Sequence, residues 1–463
     1  MAEDQSNRSG RVQPKALRAL RHRNFQLFFA GQLISLIGTW MQNVAQSWLV
    51  YRLTHSALLL GEVGFCGQIP VLILAPFGGV LADRMPRRTI VVATQTSAMI
   101  LAFILAYLTL TRHIQIWEIF VLSTGMGIVS AFDIPARQSF IVEMVGKEDM
   151  ANAIALNSSM FNGARIVGPA VAGVLVAAIG EGWCFLSNAV SYIAVIIGLL
   201  LMRVAPHERR VTTASAFGHI AEGFRYVAST GPIRSLLILI AVVAVIGTPY
   251  SVLMPIFADK ILHGGASALG YLMGAAGCGA LCGALLLATK HGLKGLGRWV
   301  AMASAGFGVS LILFAQSRNL LLSEALLVPV GFCMMIQMAA INTLVQSMVS
   351  DHLRGRVMSV YSMMVMGMAP FGALIAGWLS HRIGAPNAVA IGGAACIAAA
   401  AVFASQLPTF RESARELILT QDRLSTPAVA VVSEPDEVEP ETVEPVTGEQ
   451  DVVAVASKTS SKD

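Results

Sequence analysis

The residues best suited to chemistry are charged and amide side chains set in apolar surroundings. Asp83, Arg84, Arg87 and Arg88 fall in the run Gly79-Val-Leu-Ala-Asp83-Arg84-Met-Pro86-Arg87-Arg88. One acid among three bases, next to small residues, makes ion pairs that form and break as helices shift, because small residues let helices approach closely. Gln32, Ser35, Thr39, Gln42, Asn43 and Gln46 form a single polar stripe when wound at about 100° per residue, along an otherwise apolar stretch. Glu62 and Arg165 sit inside apolar runs, where an ionisable side chain is costly and marks a functional position by default. Arg165 shares a helix face with Asn157, Ser158 and Asn162, and it requires a partner. Glu62 is the acid available to it, so a structural Glu62–Arg165 lock and a role in handling substrate or protons both stay open.

Other chemistries are missing from the sequence. No phosphate-cradling Gly-Lys-Ser/Thr loop occurs, so ATP-driven work is not encoded. Nothing reads as a nucleophile–base pair or a metal cluster. The six cysteines all lie in apolar runs and read as small buried hydrophobes. Neither an enzyme nor a cofactor is expected.

The elements that must position these residues follow from composition. Of 463 residues, 55% are hydrophobic and 13% charged, and the mean hydropathy is +0.67. Ordinary soluble domains carry about 25% charged residues, so a soluble or nucleic-acid-binding protein is excluded. A helix needs about 20 apolar residues to cross a bilayer. Such stretches fall near 27–50, 57–82, 89–111, 114–133, 152–179, 183–203, 234–257, 266–289, 299–317, 319–347, 357–380 and 386–407. Twelve spans are therefore expected.

With the N-terminus inside, the N-terminal tail and the five even-numbered connections hold twenty-one Lys and Arg, and the outer connections hold five. That asymmetry places both termini in the cytoplasm. Residues 1–26 form an N-terminal tail, 27–203 a six-helix bundle and 234–407 a second one. The connection 204–233 carries an apolar stripe at Phe217, Ile220, Ala221, Phe224 and Val227, which suits a helix lying on the inner membrane surface. Residues 408–463 read as a cytoplasmic tail, disordered and acidic from about 425, with eight acids and no base between Glu434 and Asp451.

The halves resemble each other. Ala172-Gly173 through Ile179-Gly180 matches Ala376-Gly377 through Ile383-Gly384, and the same offset places Gly168 on Gly372. Ser56-Ala57-Leu58 likewise matches Ser267-Ala268-Leu269. Duplicated six-helix halves imply alternating access to a midplane site.

The Gly79 to Arg88 run resembles the loop between helices 2 and 3 of the major facilitator superfamily, with Pro86 where that family has Gly. Ala131-Phe-Asp133-Ile-Pro-Ala-Arg137, Asn162-Gly-Ala-Arg165-Ile-Val-Gly168-Pro169 and His352-Leu-Arg-Gly-Arg-Val-Met-Ser359 are similar to the branch containing enterobactin exporters and macrolide efflux proteins. Gly168, Pro169 and Gly173 resemble the helix 5 packing motif of drug-export antiporters, relaxed by Ala164 and Ala172. Val121 stands where proton antiporters carry Arg, so coupling by that route is not implied.

The resemblance implies an all-α membrane protein of twelve transmembrane helices in two pseudo-symmetric six-helix bundles. It implies a bacterial plasma-membrane secondary exporter of a small amphipathic compound such as a siderophore or drug, acting as a monomer driven by protons or another ion. Uptake, a lipid-like substrate and a non-transporting receptor or scaffold are the alternatives. It further implies that Asp83 contacts helix 11 when the inside closes. Arg84 or Arg88 would pair with an acid at the end of helix 4, for which Asp133 is available. Because helix 1 lines the cavity in this superfamily, its polar stripe supplies candidate substrate contacts; interhelical hydrogen bonding is the competing role.

Overall fold

A computed structural model describes residues 15–146, 148–203, 216–289, 292–293 and 295–425. The first half comprises α1 (Arg23–Thr54), α2 (Ala57–Arg84), α3 (Arg87–Leu110), α4 (Ile116–Val145), α5 (Met150–Ile179) and α6 (Glu181–Leu201). A shorter helix, α7 (Ala216–Ser229), precedes the second half. That half comprises α8 (Gly231–Ile261), α9 (Gly265–Thr289), α10 (Leu296–Gln316), α11 (Leu320–Met348), α12 (His352–Ile383) and α13 (Ala385–Ser405). A final helix, α14 (Leu407–Ser425), follows. The acidic run from Glu434 to Asp451 lies outside the described residues.

Among the described residues, eleven helices are long and apolar enough to cross a membrane by length and composition. The twelfth is α1, whose Gln32, Gln42 and Asn43 dilute its hydropathy. Of these, Gln42 accepts from Asn188 Nδ2 of α6 at 2.7 Å, which ties the span into the bundle despite its composition.

The two halves pack in the same way. Helices α2 and α4 meet through Gly127, where an added Cβ would lie 2.3 Å from the carbonyl oxygen of Gly67. Their counterparts α9 and α11 meet through Gly279 and Gly331, each with a carbonyl oxygen 1.8 Å from such a Cβ. Small residues are required because lipid offers no hydrophobic drive to associate, and close backbone packing takes over. Likewise α3 packs on α6, and α10 on α13. The second half is less regular. Helix α8 contains π-helical turns at Val243–Gly247 and Phe257–Ile261, and α12 contains one at Met363–Gly367. Such turns recur at functional sites because they re-aim side chains and free backbone groups.

One boundary differs from the sequence-based expectation in a way that matters. Helix α4 does not stop near residue 133 but continues three more turns to Val145. The charges that suggested its end are neutralised within it: Arg137 Nε lies 3.3 Å from Asp133 Oδ2, one turn away. The segment after α13 also departs from a plain tail. Helix α14 packs back on the second half, with Phe410 6% and Ala414 5% exposed and Phe410 edge-on to Phe403.

Helix crossings alternate, so the connections α2–α3, α4–α5 and α10's start lie at one end, here called the basic end. A short helical turn, Lys15–Arg21, is fixed there: Arg18 Nε and His22 Nε2 each lie 2.8 Å from a carboxylate oxygen of Asp149. At the opposite end Arg52 Nε donates to Glu181 Oε1 at 2.7 Å and ties α1 to α6.

Candidate functional site

The halves touch at and beyond mid-depth on the side away from the basic end. Helix α2 meets α12 where a Cβ on Gly61 would stand 2.5 Å from Ala373 O and 3.0 Å from Gly377 Cα. Helix α5 meets α9 where a Cβ on Gly173 would stand 2.8 Å from Gly270 Cα. Gly173 and Gly377 are the repeat-related pair of the sequence, so the duplication has placed equivalent glycines at equivalent closures. Gly168 packs α5 on α1, where a Cβ would fall 2.5 Å from Trp40 Cβ. Its repeat partner Gly372 packs α12 on α8 against Pro249 and the Val245 carbonyl.

Below these closures a cavity of about 310 Å³ lies between the halves. The first half contributes Trp40, Arg165 and Pro169; α8, α9, α11 and α12 supply the rest. Most of the lining is apolar and adaptable, with Met254, Met273, Met334 and Met338 among it. Trp40 is held edge-on by Phe161, with ring centroids 5.6 Å apart. Arg165 is the charged residue of the lining. No acid among the described residues lies within ion-pair distance of it, and its Nη2 is buried without a hydrogen-bond partner. Gln337, 1% exposed, lines the same cavity with both Nε2 and Oε1 unpartnered. A buried charge deprived of its partner costs about 3–5 kcal/mol, so this arrangement suits a ligand more than a scaffold.

The Glu62–Arg165 pair is thus corrected: the two residues make no ion pair here, since α2 and α5 join different partners across the interface. The helix 1 stripe is corrected too, because none of its six residues lines the cavity. Gln42 accepts from Asn188 Nδ2 at 2.7 Å, Gln46 donates to Ser123 Oγ at 2.7 Å, and Thr39 faces the Tyr192 hydroxyl at 3.5 Å. Gln32 and Ser35 are buried, and Asn43 is exposed outside the lining. The stripe binds α1 to α4 and α6. From α1 only Trp40 reaches the cavity, some 60° around the helix from Asn43.

The basic-end cluster is also rearranged. Asp133, 7% exposed, accepts from Thr94 Oγ1 at 2.8 Å and Gln95 Nε2 at 2.9 Å besides facing Arg137. It lies well inside α4, and neither Arg84 nor Arg88 pairs with it in this arrangement. Arg84 is exposed, Asp83 is half-buried, and Arg88 donates to the Leu200 carbonyl at 2.9 Å. The acid near the true end of α4 is Glu143, which receives Arg87 Nη1 at 2.8 Å. Toward the basic end the α2–α4 approach also needs Gly78, where a Cβ would fall 2.4 Å from Ala131 O, whereas Gly79 faces open space.

Two repeat-related six-helix halves, in contact at one end beside a shared cavity, define a transporter of the major facilitator type. The chain belongs to the transmembrane secretion effector family, which it matches over residues 15–438. It is 27% identical over 382 residues to the staphyloferrin A transporter of Staphylococcus aureus, covering 81% of this chain and 94% of that one. It is 23% identical over 358 residues to the enterobactin exporter EntS of Shigella boydii, covering 77% and 85% of the two chains. A bacterial homolog of the human lysosomal transporter Spinster shares the fold, with TM-score 0.64 at 15% identity over 89% of this chain and 99% of that chain.

Proposed function

We propose that this protein is a secondary exporter that carries a small amphipathic compound out of a bacterial cytoplasm by alternating access. The observation that carries the reading is the cavity of about 310 Å³ between two repeat-related halves, shut at one end by Gly61–Gly377 and Gly173–Gly270. The surplus of Lys and Arg on the tail and even-numbered connections supports a cytoplasmic basic end. In that orientation the cavity here is closed to the outside and approached from the cytoplasm. Names of relatives that export a siderophore or drugs support outward transport.

The transport cycle follows from the packing. Substrate enters between the halves from the basic end, and its burial against Trp40 and the methionines releases ordered water. The halves then rock, parting the glycine contacts at the opposite end and bringing Asp83 toward α12 at the basic end. Energy comes from a proton or other ion gradient. The bilayer is the immediate partner, and the working unit is one chain.

The test is uptake into energised inside-out vesicles. Vesicles carrying the protein should accumulate a labelled amphipathic substrate that control vesicles do not, and an uncoupler should abolish the difference. Accumulation in right-side-out vesicles instead would establish import.

A further inference from the structure

Resting on the transporter reading above, we propose that the central cavity selects an amphipathic anion: a carboxylate or similarly acidic oxygen group seated on Arg165 and Gln337, with an apolar body against Trp40 and the methionines.

Three observations converge on this class. The first is that Arg165 lines the cavity with no acid in ion-pair distance among the described residues, and its Nη2 is buried without an acceptor. A guanidinium offers a planar fork of donors that a carboxylate fills two at a time, and in a site of low polarity that pairing is far stronger than in water. The second is Gln337, 1% exposed, whose amide nitrogen and oxygen are both unpartnered beside the same space. Buried amides are ordinarily satisfied, so an orphaned pair marks a missing hydrogen-bonding group. A carboxylate that leaves one oxygen beyond the guanidinium fork accepts from Nε2, and a hydroxyl or acid proton on the same molecule reaches Oε1.

The third is the sign of the field along the path. At the opposite end, a cleft of about 560 Å³ lies where α1 and α2 meet α8, α12 and α13. It is lined by Lys260, Arg318, His55, His263 and His381, with no carboxylate among its described lining residues, while Asp259 lies against the hydroxyl of the lining Tyr51. A compound leaving Arg165 when the halves part at Gly61 and Gly377 passes a cleft where Lys260 and Arg318 outnumber Asp259, a balance that favours an anion over a cation. A cationic or neutral substrate would leave Arg165 unneutralised in the cavity and would meet like charge or none on the way out.

The test uses full-length protein in lipid nanodiscs and three tritiated probes of matched shape: 2-naphthylacetate, neutral 2-naphthylacetamide and cationic 2-naphthylmethylamine. A charge-assisted bond changes affinity by about tenfold or more, so the wild type should bind the carboxylate about tenfold more tightly than either analogue. Arg165→Gln should erase that preference, bringing carboxylate and amide affinities within about twofold of each other, with an unchanged melting temperature in detergent showing that the variant is folded. Arg165→Lys should keep a reduced preference, and Gln337→Leu should weaken the carboxylate several-fold. The inference is overturned if the wild type binds the amide or amine as well as the carboxylate, or fails to bind the carboxylate. It is equally overturned if the preference survives in Arg165→Gln. Carboxylate preference without accumulation in inside-out vesicles would instead overturn only the exporter reading.

Discussion

Arg87 at the start of α3 donates to Glu143 near the end of α4 at 2.8 Å, and the same Nη1 reaches the Ser139 carbonyl at 3.2 Å. Both side chains are about four-fifths buried, with 20% and 21% exposure, so solvent screens the pair only in part. Together with Arg87 Nε on the Ala82 carbonyl, it clamps α2, α3 and α4 at the basic end. Removing either member takes this charge-assisted bond from a side chain that is about four-fifths buried. Arg87→Gln and Glu143→Gln should each lower stability by about 1–2 kcal/mol, and a double-mutant cycle should give a coupling of about 1 kcal/mol. Thermal unfolding in detergent reads both; strictly additive losses would show that the pair is not coupled.

Asp133 differs in kind. Its carboxylate is held by Thr94, Gln95 and Arg137 inside α4. Asp133→Asn keeps the volume but turns one acceptor oxygen into a donor facing donors. A loss of about 1–3 kcal/mol is expected, larger than for Arg84→Gln at its exposed position. Equal melting temperatures for the two variants would contradict this placement.

Asp83 makes the opposite case. It is half-buried in an arrangement closed at the far end, and we propose that its role belongs to the state in which the basic end closes. Asp83→Asn should therefore insert and melt like the wild type yet impair export. Full activity in the vesicle assay would remove the gating role.

The closures themselves can be blocked. Gly61 and Gly173 meet backbone of the other half at distances no side chain tolerates. Gly61→Leu and Gly173→Leu should hold the opposite end apart, abolishing transport while leaving the protein inserted. Cysteines placed at Ser380 should then react with a membrane-impermeant maleimide faster than in an otherwise wild-type background. Unchanged labelling and transport would show that these contacts do not gate.

Gln42 and Gln46 test the reassigned helix 1 stripe. Gln42→Leu strands Asn188, and Gln46→Leu strands Ser123. Interhelical hydrogen bonds in membranes average about 0.6 kcal/mol, so each variant should lose about that much stability and keep its substrate preference. A changed preference would return the stripe to the cavity.

Apolar spacing and the internal repeat made the two-half architecture legible, and the Gly173/Gly377 repeat marked its closures. The site was less legible, for definite reasons. A polar stripe looks the same from sequence whether it faces a cavity or a neighbouring helix, and Asn188, Tyr192 and Ser123 decide between them only in space. Helix α4 looked short because Asp133 and Arg137 read as a boundary, although an i,i+4 pair neutralises them. Gln337 carried a signal that went unused: it is an amide in the otherwise apolar run Met334-Met335-Ile336-Gln337-Met338. The proline at 249 and the methionine-rich run at 363–368 likewise foreshadowed the irregular turns beside the cavity.

The central claim is outward transport through the cavity between the halves. Cellular accumulation of a panel of labelled amphipathic anions, in strains with and without the gene, tests it most directly. Cells lacking the gene should accumulate at least one compound several-fold above cells that carry it, and an uncoupler should close the gap. Equal accumulation across the panel, or higher accumulation in the cells that carry the gene, would contradict the account.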